Sequence, residues 1–244
     1  MTTSDYLARN GYCILSGAVE ANAVQSARAT ILANQHLMGI TRPNADSRHS
    51  AGFHRFPELE PLHQALETNV VIQAALANFY LPHETVAIGL CDITINRSQD
   101  WHTDLLRGKY ARFLSPGICW SAKTTSCVKA LLYLQDSRSL KVVPGSHLRP
   151  VSLVNDGACI PARNANVTSV AVKSGDIVLM DIRTVHRGST EAEMAKVAAG
   201  DAPRILVSTV FGARGAELTR AMQTGNTHRL RDWDARHLPG CVSV

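Results

Sequence analysis

The stretch Val86-Ala-Ile-Gly-Leu-Cys-Asp-Ile-Thr-Ile95 marks where the chain changes character. Its β-branched residues suit the pleated, half-buried surface of a sheet and predict a strand. Further short runs follow: 118–120, 128–134, 140–143, 167–172, 177–182 and 204–211. Turn signals separate several of them, notably Pro144-Gly145-Ser146-His147 and Gly175-Asp176. With Tyr12-Cys13-Ile14-Leu15 upstream, some eight short strands predict a mainly β fold with flanking N-terminal helices. Its core is expected to be an antiparallel jelly roll, the double-stranded β-helix of the cupin-like proteins.

Upstream the periodicity is helical. Residues 5–10 predict a short helix stopped by Gly11, and Val24, Ala27 and Ile31 mark a second. Residues 39–58, with Gly39, Pro43, Gly52 and Pro57, read as an irregular loop. Leu62, Leu66, Val70, Ala74 and Ala77 then predict one amphipathic helix beginning near Pro61. The expected organisation is one domain over 1–244. It comprises a helical part to about 82, a jelly-roll core over about 84–212, and a segment 213–244 near the pocket.

Composition narrows the class. The 244 residues are 45% apolar, enough for a sizeable core, and no run approaches the ~18–20 apolar residues of a membrane span. Residues 1–5 lack the features of a secretory signal, so a cytoplasmic protein is expected. Six scattered cysteines (13, 91, 119, 127, 159, 241) without a C-x-x-C pair predict buried thiols rather than zinc ligands. Basic residues exceed acidic ones, 25 to 20, but the arginines are dispersed. That favours an anionic small molecule over a nucleic-acid surface. The most basic stretch, 220–236, reads as a solvated terminal segment.

After the strand comes Trp101-His102-Thr103-Asp104. On an extended chain residues i and i+2 share a face, ~7 Å apart. His102 and Asp104 can therefore serve one metal ion. His186, just beyond the run 177–182, supplies a third ligand once the strands converge on one end of the barrel. Two histidines and a carboxylate with open positions form the facial triad of non-haem Fe(II) oxygenases. Arg204 opens the last strand, expected beside the one bearing His186. Its planar guanidinium can grip a carboxylate with two bonds.

These residues resemble the phytanoyl-CoA dioxygenase-like (PhyH) branch of the Fe(II)/2-oxoglutarate oxygenases. The matching pieces are Tyr6-x4-Gly11-Tyr12, Trp101–Asp104, Leu131-Leu-Tyr-Leu-Gln-Asp136, Val142-Val-Pro-Gly-Ser-His147, Gly175-Asp176 through His186, and Pro203-Arg204. They occur in the family's order across most of the chain. The resemblance implies Fe(II) held by His102, Asp104 and His186, and 2-oxoglutarate held by Arg204, with O₂ as oxidant. It also implies that His147 is structural. Halogenating relatives carry Gly or Ala where this chain has Asp104, so hydroxylation-type chemistry is implied instead.

Secondary roles follow from position. Lys129 reads either as an edge residue reaching water or as a second contact to 2-oxoglutarate. Ser189 and Ser208 can add hydrogen bonds, and Arg214 is the alternative clamp. Trp120 is expected to pack, and Arg183 and Arg187 to be exposed. The pocket is expected from 39–58, 105–127 and 213–240. The expected activity is oxidation of a small molecule, hydroxylation by default, with desaturation or cyclisation also possible. The substrate is expected to be anionic or a natural-product intermediate, with no membrane or nucleic-acid partner. The alternatives are a nucleic-acid demethylase on the same core and a non-catalytic jelly-roll ligand sensor.

Overall fold

The computed structural model describes residues 2–42, 46–120, 126–150, 161, 163–196 and 201–237. In chain order these form α1 (Thr3–Asn10), β1 (Tyr12–Leu15), α2 (Ala21–Ala33), β2 (Gly39–Arg42), β3 (Ser47–Ala51), α3 (Glu60–Glu67), α4 (Val70–Tyr80) and β4 (Thr85–Ile95). There follow α5 (Pro116–Cys119), β5 (Val128–Tyr133), β6 (Lys141–Val142), β7 (Thr168–Ser169), β8 (Ile177–Asp181), β9 (His186–Arg187), α6 (Glu191–Met194), β10 (Ile205–Ala213) and α7 (Glu217–His237).

The strands make two antiparallel sheets, the double-stranded β-helix expected. The larger runs β1-β8-β5-β10-β4-β3-β2 and the smaller β7-β6-β9. Paired backbone hydrogen bonds between His102 and His186 add the His102 stretch to the open side of β9. Alternation along β8 explains the layering. Ile177 and Leu179 join the core under the N-terminal helices, with Leu7, Ile31, Leu66 and Ile72. Val178 and Met180 face the other way, into the space between the sheets, with Leu131, Tyr133 and Val142. The helices therefore cover one face of the large sheet, and the other face is left for the site.

Local chemistry sets the boundaries. Gly11 ends α1 in the left-handed region at φ 80°, which only glycine adopts at little cost. The Asp176 carboxylate accepts from the N–H groups of Gly17 and Lys173, fixing the turn into β8. His147 is buried and donates to the Ala8 carbonyl, tying the Pro-Gly-Ser turn to α1.

Several expectations are corrected. Residues 39–58 are not simply a loop, because β2 and β3 extend the large sheet through β4. Ser47-Arg-His-Ser50 has no apolar alternation, as befits polar strands near a sheet edge. The single helix from Pro61 is two helices. The Asn69 side chain accepts from Val71 and Ile72 N–H and caps α4, leaving Val70 78% exposed. Residues 116–119 are a helical turn started by Ser115 and Pro116, not a strand. Arg183 is buried rather than exposed, with two bonds to Asp181 and one to the Cys119 carbonyl. Arg187 is half-buried, paired with Glu193 and lying over the Trp101 ring. Trp120 packs as expected beside Leu105 and Leu106.

The basic stretch 220–236 is also no solvated tail. In α7, Met222, Asn226, Leu230 and Trp233 are buried, and Asn226 donates to the Gly89 carbonyl of β4. A Cβ on Gly225 would strike the end of the Leu106 side chain, so glycine lets α7 approach here without displacing it. Cys13, Cys91, Cys119 and Cys127 are buried free thiols, and burial raises Cys127 to about 12. Cys159 and Cys241 lie outside the described residues. No helix among the described residues is long and apolar enough to cross a membrane.

Candidate metal centre

The structure brings His102, Asp104 and His186 together, with one donor atom from each all within 4.8 Å of one another. His186 lies beyond the strand 177–182, as expected, but it opens a strand of its own. The chain leaves the large sheet after Asp181, and His186 opens β9 in the small sheet. The His102–His186 backbone pair and the bond from Asp104 N–H to the Ile182 carbonyl then fix the three residues side by side.

The hydrogen bonds set the tautomers. His102 Nδ1–H donates to the Asp100 carbonyl, and His186 Nδ1–H donates to the Thr184 carbonyl at 2.9 Å. Each Nε2 therefore carries a lone pair into the site, the arrangement that outer partners impose on metal-binding histidines. His102 Nε2 lies 3.8 Å from Asp104 Oδ1, and His186 Nε2 lies 3.5 Å from Asp104 Oδ2. His102 Nε2 and Asp104 Oδ2 are buried without a hydrogen-bond partner. Orphaned polar atoms are costly unless something else satisfies them. A divalent cation with ~2.0–2.2 Å bonds to N and O donors would do so. The donor set thus fits a metal.

Electrostatics favour the same state. Burial pushes both imidazoles below their ordinary range, and for His102 the neighbouring His186 and Arg107 add to it. In metal-free protein the two rings are therefore expected to protonate only below the ordinary imidazole value of ~6.5. An NMR pH titration checks this, and a midpoint at or above that value contradicts it. Burial alone would raise the Asp104 carboxyl, but Lys129, His186 and His102 outweigh it and hold the group well below its usual range.

Lys129 is not at an edge. It stands in β5 between β8 and β10, and its Nζ donates to Asp104 Oδ1 at 2.9 Å. With Lys129→Met, burial acts on Asp104 with less opposition and its carboxyl rises. Any loss of metal affinity is expected to be larger at pH 6 than at pH 8, because protons compete for the carboxylate more strongly at the lower pH. Equal losses at both pH values, measured by anaerobic calorimetry, would remove this role.

Arg204 precedes β10, which lies in the large sheet between β5 and β4. It is therefore not beside the strand of His186, as expected, because the two belong to different sheets. Contact is made across the gap: Arg204 Nη1 donates to Ser189 Oγ at 2.8 Å. Among the described residues no carboxylate pairs with Arg204. Arg214 is on the surface, bound to Glu84 by two bonds at 2.7 and 3.0 Å. Ser208 is buried and donates to the Asp92 carbonyl.

Beside the triad opens a cavity of about 420 Å³, walled by β3, β4, β5, β10, residues 97–110 and α7. Asp104 and Lys129 form one side, while Arg204 and Ser189 are not among its lining residues. His49 and Arg229 come from two of the segments expected to wall the pocket, whereas Asp92 and Arg97 lie outside all three. Asp92 had a visible signal, a charge inside the apolar run Cys91-Asp92-Ile93. Arg229 Nη2 donates to it at 2.9 Å and His49 Nε2 lies 3.3 Å away.

The family model for phytanoyl-CoA dioxygenase (PhyH) matches residues 61–192, just over half the chain. That span includes His102, Asp104, Lys129, His186 and Ser189 and stops before Arg204. No curated protein matches the sequence. Solved structures resemble its fold. The non-haem α-ketoglutarate-dependent epimerase SnoN from nogalamycin biosynthesis is 18% identical, with a TM-score of 0.64 over 86% of this chain and 82% of its own. HygX from Streptomyces hygroscopicus, solved with nickel, 2-oxoglutarate and hygromycin B, is 16% identical, with a TM-score of 0.61 over 88% of each chain. The α-ketoglutarate-dependent carbocyclase SnoK is 18% identical, with a TM-score of 0.60 over 86% and 83%. At these identities the likeness is one of fold.

Proposed function

This chain belongs to the phytanoyl-CoA dioxygenase (PhyH) family, and on that basis we propose that it is an Fe(II)/2-oxoglutarate-dependent oxygenase of small molecules. The observation that carries the reading is the convergence of two imidazole lone pairs and one carboxylate, with two of the atoms orphaned. When bound, Fe(II) supplies activation of O₂, coupled to decarboxylation of 2-oxoglutarate to succinate.

The chain's own residues do the rest. His102, Asp104 and His186 hold the metal. The Asp100 and Thr184 carbonyls keep both rings in the ligating tautomer. Lys129 keeps Asp104 ionised and reaches toward 2-oxoglutarate. Arg204 grips the far carboxylate of 2-oxoglutarate, with Ser189 as its hydrogen-bonding companion. Leu90, Leu105, Leu106 and Leu206 line the cavity, lower its dielectric and exclude water from the substrate.

Hydroxylation is the default outcome. An epimerase and a carbocyclase share this fold, so the pose of the substrate, rather than the core, selects among outcomes. A cavity of about 420 Å³ suits a small molecule. The test is a metabolite screen for succinate release from 2-oxoglutarate with Fe(II) and O₂. A substrate that raises release well above the uncoupled rate supports an oxygenase. Metal and 2-oxoglutarate binding without turnover across a broad screen would point to a sensor, and salt-sensitive retention on DNA to a demethylase.

A further inference from the structure

The cavity beside the triad carries more positive charge than its own carboxylates can answer, even with Arg107, which has partners of its own, left out of the count. Arg97, Arg107, Lys129 and Arg229 line it against Asp92 and Asp104. Both carboxylates are already matched, Asp104 by Lys129 and Asp92 by Arg229, each at 2.9 Å. Arg97 makes no hydrogen bond or ion pair among the described residues, although it is only partly exposed. Burial disfavours its charge most, Asp92 and Asp104 favour it without pairing with it, and Arg107 and Arg229 repel it, so the balance is against the charge. A guanidinium held this way is costly unless an anion joins it. Loading the metal site does not supply that anion. Iron(II) and the 2-oxoglutarate dianion cancel in charge, and Arg204 takes the free carboxylate.

We propose that Arg97, with Arg107 and Arg229 on the same wall, forms an oxyanion subsite that holds a carboxylate or phosphate monoester of the substrate. The remaining lining fits the rest of such a molecule. Leu90, Leu105, Leu106 and Leu206 offer an apolar surface, with the Tyr110 ring at its edge. The substrate class is therefore a compact molecule with an apolar body and a single anionic head. The planar fork of Arg97 binds that head with two parallel bonds, which orients the body toward the triad. This deepens the proposed function and rests on its assignment of Arg204, not Arg97, to 2-oxoglutarate.

The experiment compares octanoate, octyl phosphate and octanol, which share one body and differ in the head. Binding is measured by anaerobic calorimetry on protein loaded with Fe(II) and 2-oxoglutarate. At least one anion is expected to bind ~10-fold or more tighter than octanol, a typical return for charge-assisted bonds. Which anion wins distinguishes a carboxylic acid from a phosphate ester. Arg97→Gln is expected to erase the preference while leaving 2-oxoglutarate affinity and the unfolding midpoint unchanged. Arg97→Lys, which keeps the charge but loses the fork, is expected to retain part of it. The proposal is overturned if octanol binds as well as both anions, or if Arg97→Gln keeps the preference. It is equally overturned if Arg97→Gln loses 2-oxoglutarate instead, since Arg97 would then be the co-substrate clamp. Should the protein take up neither Fe(II) nor 2-oxoglutarate, the proposed function fails separately. The head-group comparison is then read on metal-free protein, where Arg97 carries the same charge.

Discussion

Alanine at His102, Asp104 or His186 is expected to weaken Fe(II) binding by more than ~100-fold and to abolish substrate-triggered succinate release. The magnitude follows from comparison. Disturbing only an outer partner of a metal ligand costs ~10–100-fold, and removing the ligand itself costs more. The site has few substitutes. The other lining carboxylate, Asp92, is engaged by Arg229. Each variant should stay folded, because all three donor atoms face the same small space rather than the main core. His102→Ala and Asp104→Ala also remove buried atoms that have no hydrogen-bond partner. Metal-free His102→Ala is therefore expected to melt no lower than wild type, whereas Asp104→Ala also strips Lys129 of its 2.9 Å partner and is expected to melt lower. Anaerobic equilibrium dialysis and a thermal melt separate the two effects. Full iron retention in all three variants would remove the proposed centre.

Arg204→Ala is expected to cost ~10–100-fold in 2-oxoglutarate affinity while sparing Fe(II). This is the range for hydrogen bonds to charged groups, ~1.5–3 kcal/mol. The variant leaves Ser189 Oγ without its 2.8 Å partner, but a hydroxyl can turn to another acceptor or to water. Ser189→Ala should produce a smaller loss of the same sign. Arg97→Gln is the control, because it removes a guanidinium from the same region without touching this pair. Unchanged 2-oxoglutarate affinity in Arg204→Ala would move the clamp elsewhere.

The contrast between Arg204 and Arg97 shows what sequence could and could not carry. Arg204 stands directly before a long apolar strand and after Pro203, so its place at a strand mouth could be read from neighbours alone. Arg97 follows Asn96, whose φ of 48° lies in the left-handed region. That residue breaks the alternation of β4, and parity no longer says which way the next side chain points. Nothing in Asn96-Arg97-Ser98 marks a pocket wall.

The same logic runs through the fold. His102 and Asp104 were legible as a pair because two residues of extended chain settle their common face. Gly11, Gly175 and Asp176 were legible because their turn chemistry is local. The strands β2 and β3 were not, because polar residues on both faces leave no period to detect. Lys129 looked like an edge residue because a lysine in an apolar run is usually accommodated by water. Its partner Asp104 comes from another part of the chain, and only the folded sheet brings them together. The split between α3 and α4 was hidden because the apolar spacing runs straight through Asn69, whose side chain nonetheless caps a new helix.

Anomalous scattering at the iron edge, from crystals loaded with Fe(II) and 2-oxoglutarate without O₂, locates the metal. One strong peak is expected within ~2.0–2.3 Å of His102 Nε2, an Asp104 carboxylate oxygen and His186 Nε2. No peak there, or a peak held by other residues, would contradict the proposed metal centre.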